Sequence, residues 1–187
     1  MPDSNTIALV SVVGATATAI AVPLINGAFA ARADRRKFEH ERHEKDLDER
    51  RALLDDCAHA LTTYIEATRD LLGRYVFSHP ANAEARDLDF YMAAIDANIA
   101  AKAHAYALNR RLVIRLGRHS DVVVAYGNVL KLLDEATTDI ATRITERTAN
   151  KPDRRDDLVV AQDSMNASWY EAHERYLDAA TKSVGSK

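Results

Sequence analysis

Four stretches of this chain repeat apolar residues at three- and four-residue steps, and the breaks between them are short. Each such stretch makes one apolar face on a helix, and helices of that kind must bury those faces against one another. The first runs Leu54, Cys57, Leu61, Tyr64, Ile65, Thr68, Leu71, Leu72 and Tyr75. The second runs Leu88, Met92, Ile95, Ile99, Ala103, Tyr106, Arg110, Val113 and Leu116, with Arg110 its one flaw. The third is Val123, Tyr126, Leu130, Leu133, Ile140 and Ile144; the fourth is Leu158, Gln162, Met165, Trp169, Ala172, Tyr176 and Ala179. The breaks are FSHPAN, where Pro80 and Asn82 end one helix and start the next, then GRHSD, with Ser120 as N-cap, then Asn150–Asp153. Short connections imply antiparallel neighbours, so residues 53–182 are predicted to form an up-down antiparallel four-helix bundle, followed by a tail over 183–187. RLVIRL and VVVAY around GRHSD offer a competing β-hairpin. A lone hairpin is marginal and no third strand is in sight, so helix–turn–helix is the expectation there. The chain is predicted to be all-α.

The N-terminal segment obeys a different rule. No side chain ionises between Ser4 and Ala31, and residues 7–25 read IALVSVVGATATAIAVPLI, about the 20 residues a helix needs to cross a bilayer. Ala28-Phe29-Ala30 also fits the small-x-small pattern of a cleaved secretory signal. The n-region MPDSNT carries Asp3 and no Lys or Arg, however, whereas Arg32, Arg35, Arg36 and Lys37 follow the stretch. Positive charge on the C-terminal flank alone predicts a retained transmembrane anchor over 7–31 behind a short tail, 1–6, with the N-terminus outside and the bundle in the cytoplasm. Small residues at helical spacing, Ser11-Ala15-Ala19 and Gly14-Thr18, would permit close helix approach, which leaves a homo-oligomer open.

Residues 32–52 are too charged to be core. Acids precede bases at i,i+4 in Glu41/Lys45 and Asp46/Arg50, which supports a solvated helical stalk on the order of 30 Å long.

Taken together, the uncharged anchor, the stalk RADRRKFEHERHEKDLDERRALLD, the joint RLVIRLG and the tail YLDAATKSVG resemble a broad set of uncharacterised actinobacterial single-pass membrane proteins with a cytoplasmic helical bundle. The resemblance implies a membrane-tethered helical protein and supplies no functional residue.

Chemistry-bearing patterns mostly fail on spacing. His40-Glu41-Arg42-His43 sets its histidines three apart, where a zinc protease helix needs four; with Glu44 they could chelate a metal only weakly on a solvated face. Asp56 and His59 make half of a di-iron motif, but the fourth helix puts Tyr170 where the second acid should stand before His173, and His104 turns away from the seam. Cys57 lies on the apolar seam without a base, and the six glycines form no phosphate loop or nucleophile elbow. No catalytic, cofactor or metal residue is therefore assigned. A net charge of -3 argues against bulk binding of nucleic acid. The helix after the basic turn opens Asp121-Val122-Val123-Val124, with no donor for base edges. Arg154 and Arg155 at the start of the fourth helix oppose its dipole and hint at a contact.

What remains is a non-enzymatic, membrane-anchored scaffold or sensor contacting another protein at the cytoplasmic face. Its candidate partner or lipid contacts are Arg35, Arg36, Lys37, Arg110, Arg111, Arg115 and Arg118. The alternatives are an exported or surface-tethered bundle binding a partner or lipid, and a metal- or ligand-binding bundle.

Overall fold

The computed structural model describes residues 34–79, 81–152 and 154–185 in full, and residues 4–33 only as the N-terminal part of a helix. The side chains of the predicted anchor over 7–31 and of the tail before it lie outside the described residues. Among the described residues no helix is long and apolar enough to cross a membrane. The described chain is all-helical: α1 Ser4–Phe77, a 3-10 turn Glu84–Arg86, α2 Asp89–Leu116, α3 Asp121–Thr148 and α4 Arg155–Gly185, with no strand among the described residues.

Two compact units divide at residues 49 and 50. In the first, the side chains from Asp34 to Asp46 are all exposed, Phe38 included. Its ion pairs join Arg35 to Glu39 at 3.1 Å, Lys37 to Glu41 at 3.9 Å and His40 to Glu44 at 3.2 Å. Glu41 thus faces the base four residues before it, Lys37, where the sequence suggested Lys45. Pairs this exposed contribute little beyond local helix support.

The second unit is a helical bundle. Every residue of the first and third sequence seams is buried, from Leu54 to Tyr75 and from Val123 to Ile144. The fourth seam is buried at Leu158, Trp169, Ala172 and Tyr176. Hydrogen bonds record how the helices pair. The Tyr176 hydroxyl donates to the Leu54 carbonyl at 2.8 Å, while Arg155 near the start of α4 reaches Val76 near the end of α1, so these two helices run antiparallel. Asn98 Nδ2 donates to Thr68 Oγ1 at 2.9 Å and Arg74 donates to the Phe90 carbonyl, which makes α1 and α2 antiparallel. Tyr126 donates to the Ala105 carbonyl at 3.0 Å, and Arg147 donates to the Tyr91 hydroxyl at 3.0 Å, which does the same for α2 and α3. The Thr68–Asn98 pair is fully buried, and Thr68 in turn donates to Tyr64. A buried polar pair has few satisfied alternatives, so it fixes the register of α1 on α2.

The joints depart from expectation in two places. Asn82 does not start α2. The chain makes the 3-10 turn first and enters the helix at Asp89, whose N–H bonds the Asp87 carboxylate at 3.0 Å. Ser120 does hold the extended N-cap backbone of α3, but its side chain makes no capping bond; Asp121 in the first turn supplies the favourable charge instead. GRHSD is a turn between two helices, as the marginal stability of a lone hairpin implies.

The second seam needs correcting. Leu88, Met92, Ile99, Ala103 and Arg110 are exposed, and Ile95, Tyr106, Val113 and Leu116 only half-buried. Buried instead are Tyr91, Ala94, Asn98, Ala101, Ala105, Leu108 and Leu112. α2 has two apolar stripes, and the one rich in alanine faces inward. The large side chains of α1 and α3, Leu61, Tyr64, Ile65, Tyr126, Leu130 and Leu133, fill the interior. Small residues opposite them let the backbone of α2 approach at close-packed density.

Candidate functional site

The stripe turned outward is the most distinctive surface of the bundle. Leu88 is 46% exposed, Met92 37% and Ile99 59%, with Ile95 and Tyr106 half-buried beside them. From Leu88 to Ile99 these residues recur every three to four positions, and Ala103 bridges to Tyr106, so they form one stripe along α2, about 33 Å long from Leu88 to Arg110. Scattered surface leucines mean nothing, but apolar residues lined up along one helix make a candidate contact surface.

Charge is sorted along the same helix. Its acids, Asp89 and Asp96, precede its bases, Lys102, Arg110, Arg111 and Arg115. The four arginines predicted as contacts in the bundle, Arg110, Arg111, Arg115 and Arg118, are all exposed, but they do not form one patch. Arg111 and Arg115 are four apart and share a face, and the charge of Arg111 is felt at Cys57. Arg110 lies a third of a turn away, at the edge of the apolar stripe. Arg118 follows the helix end. Arg35, Arg36 and Lys37 are exposed on the first unit, Arg35 and Lys37 in the pairs above.

One edge of the stripe is pinned by a polar cluster that the sequence did not reveal. Asp134 on α3 accepts hydrogen bonds from Tyr106 of α2 and, at 2.7 Å, from Tyr64 of α1, and pairs with Lys102 at 3.0 Å. Burial would raise the carboxyl pKa, but the donations from Tyr106, Tyr64 and Lys102 outweigh it and hold Asp134 below the usual range. The tyrosines move the other way: burial, then the Asp134 bond, pushes Tyr106 up to about 12 and raises Tyr64 as well. Three donors on one carboxylate lock α1, α2 and α3 together and leave the stripe on a rigid support.

The far end of the bundle holds a second cluster missed by the sequence. A helix leaves its last four carbonyls without intrahelical partners. At the end of α1, buried Arg147 donates to the Tyr75 carbonyl at 2.9 Å, to Ser78 Oγ at 2.7 Å and to the Tyr91 hydroxyl, with its guanidinium 3.8 Å from the Tyr75 ring centroid. Arg155 donates to the Val76 carbonyl. Two cations therefore close the negative end of the α1 dipole. The contact hinted at by the arginines of α4 is thus within the chain itself for Arg155. Arg143, also buried, bonds Asp139 at 3.0 Å and the Arg154 carbonyl at 2.7 Å.

The tempting histidines and the cysteine fall elsewhere. Asp56, His59 and His104 are exposed. His173 is half-buried against Tyr176, its ring centroids 6.4 Å apart; burial lowers its pKa against a hydrogen bond with the Ala58 backbone. Cys57 is fully buried, and burial pushes its thiol up to about 12, with Asp56 pushing the same way and a Tyr176 hydrogen bond and Arg111 opposing. A thiol held that high is a packing group, not a nucleophile.

No family model matches the chain, and neither a curated protein nor a solved structure matches it.

Proposed function

We propose that this chain is a non-enzymatic docking protein, an up-down four-helix bundle carried on a charged stalk from a single N-terminal membrane anchor. The observation that carries the reading is the ribbon on α2 in which Leu88, Met92 and Ile99 are left exposed beside half-buried Ile95, while Ala94, Ala101 and Ala105 face the core. Roughly 25 cal/mol is available for each Å² of such surface withdrawn from water, so covering it favours association without any new polar chemistry. The Asp134 cluster and the arginine clasp support the reading, because they tie their ionisable groups into the scaffold that presents this face. The uncharged stretch 7–31 and the basic flank Arg32–Lys37 supply the tether and its orientation.

A photo-crosslinking residue at Ile99 of the full chain, irradiated in living cells, is expected to give discrete protein adducts. The same residue at Ala97, exposed on the other side of α2, should give none. Equal adducts from both positions, or none from either, would contradict the assignment of this face.

A further inference from the structure

We propose that residues 155–168, the first half of α4, form a strap that swings off the bundle as a unit, hinged at Trp169. The motion is independent of the outer stripe of α2 and of whatever that stripe meets.

Packing singles the segment out. Over residues 53–76 of α1, 91–112 of α2 and 122–147 of α3, a buried residue recurs at least every four positions. On α4 the buried residue that follows Leu158 is Trp169, three helical turns further on. Every residue between them reaches solvent, and Val159 and Val160 are exposed outright. Met165, half-buried, is the one apolar side chain of this stretch that packs against the core. Behind the hinge the usual spacing returns, with Trp169, Ala172, Tyr176 and Ala180.

α1 and α4 do not close on each other along the strap. A groove of about 280 Å³ runs between them, lined in part by Leu72 and Phe77 of α1 and by Gln162 and Asn166 of α4. Gln162 is the polar residue on the fourth apolar seam, and the buried Asn166 Oδ1 has no hydrogen-bond partner. Two amides at this joint supply none of the apolar area that docks the other helices.

What holds the strap is mostly polar and sits at its start. Arg155 donates to the Val76 carbonyl, and buried Arg143 of α3 donates to the Arg154 carbonyl at 2.7 Å. Asp157 lies 3.7 Å from the same arginine, and Leu158 adds one buried side chain. Once this latch parts, little apolar packing remains to hold the three turns behind it, so they leave together. The second half stays docked: Arg69 of α1 donates to the Tyr170 hydroxyl at 2.9 Å, and Tyr176 to the Leu54 carbonyl at 2.8 Å.

A maleimide added to the Leu72→Cys full chain in mild detergent, with site-resolved mass spectrometry, reads the motion. Leu72 is buried beside Gln162 and Asn166 of the strap, whereas native Cys57 is buried against Tyr176 in the half that stays. Both thiols sit in one molecule, and global unfolding exposes both alike. With each rate taken relative to the unfolded chain, the introduced thiol is expected to react at least tenfold faster than Cys57. Val129→Ala lies one turn along α3 from Tyr126, whose ring meets Tyr176, and it weakens the bundle away from the latch. It should speed labelling of Cys57 alone, whereas Arg155→Ala loosens the latch and should speed labelling at residue 72 about fivefold. Amide hydrogen exchange on the unmodified chain gives a second reading that no substitution can disturb. Residues 159–168 should exchange at least tenfold faster than 171–180, although both lie beyond the first turn of α4. Equal reactivity of the two thiols, equal acceleration of both by Val129→Ala, or equal exchange in the two halves of α4 overturns the strap.

Discussion

Trp169→Ala is expected to destabilise the bundle by roughly 3–5 kcal/mol, the cost of emptying a large buried aromatic site that its surroundings cannot refill. Trp169 is 2% exposed, midway along α4 between Leu158 and Tyr176, and belongs to the one apolar cluster that joins all four helices. Its indole fills volume that no smaller side chain can claim without moving a helix. On a domain of this size the loss corresponds to a fall in melting temperature on the order of 10 °C. The full chain in detergent, followed by its helical circular dichroism, supplies the measurement. An unchanged melting temperature would mean that α4 is not packed through Trp169.

Arg147→Ala should cost nearly as much, about 3 kcal/mol, for a different reason. The guanidinium is 3% exposed and serves the Tyr75 carbonyl, Ser78 and Tyr91 at once, while lying over the Tyr75 ring. Removing it takes a charged donor from all three and the cation from the Tyr75 ring, while the Tyr75 carbonyl and the Tyr91 hydroxyl keep their bonds with Ser78 Oγ; a lost hydrogen bond to a charged group costs about 1.5–3 kcal/mol. Arg147→Lys keeps the charge but cannot reproduce the fork, so it should recover only part of the loss. Amide hydrogen exchange adds a local signature: faster exchange at the end of α1 and in the loop after it, with the middle of α1 still protected. Uniform destabilisation without that local signature would contradict the clasp.

Three of the four helical faces were legible from spacing because each offers a single stripe of large apolar residues. α2 was not, because it offers two. Periodicity says which residues share a face but not which face turns inward, and weighting by size selected Leu88, Met92 and Ile99. The interior opposite α2 is already filled by tyrosines and leucines of α1 and α3, and α2 meets them with Ala94, Ala101 and Ala105 alongside Tyr91, Leu108 and Leu112. The residues proposed as the docking face were therefore all visible in the sequence, with their direction reversed. Asp134, Arg143 and Arg147 were not visible as a set. Charged residues on a helix read as solvated until their partners are known, and those partners lie on other helices or at the end of α1. Arg154 and Arg155 did leave a trace, being bases at a helix start where acids are favoured.

We propose that a membrane-anchored bundle presents the outer face of α2 to the cytoplasm. Topology of the full chain in intact cells tests this most directly, with a compartment-sensitive reporter fused after Lys187 and N-terminal sequencing of the membrane fraction. The reporter is expected to be active only inside the cell, and the N-terminus still to precede residue 7. Replacing Arg35, Arg36 and Lys37 together by Glu should scramble that orientation, because the basic flank sets it. A membrane-fraction protein beginning at Ala31, or a reporter active only outside, would contradict the account.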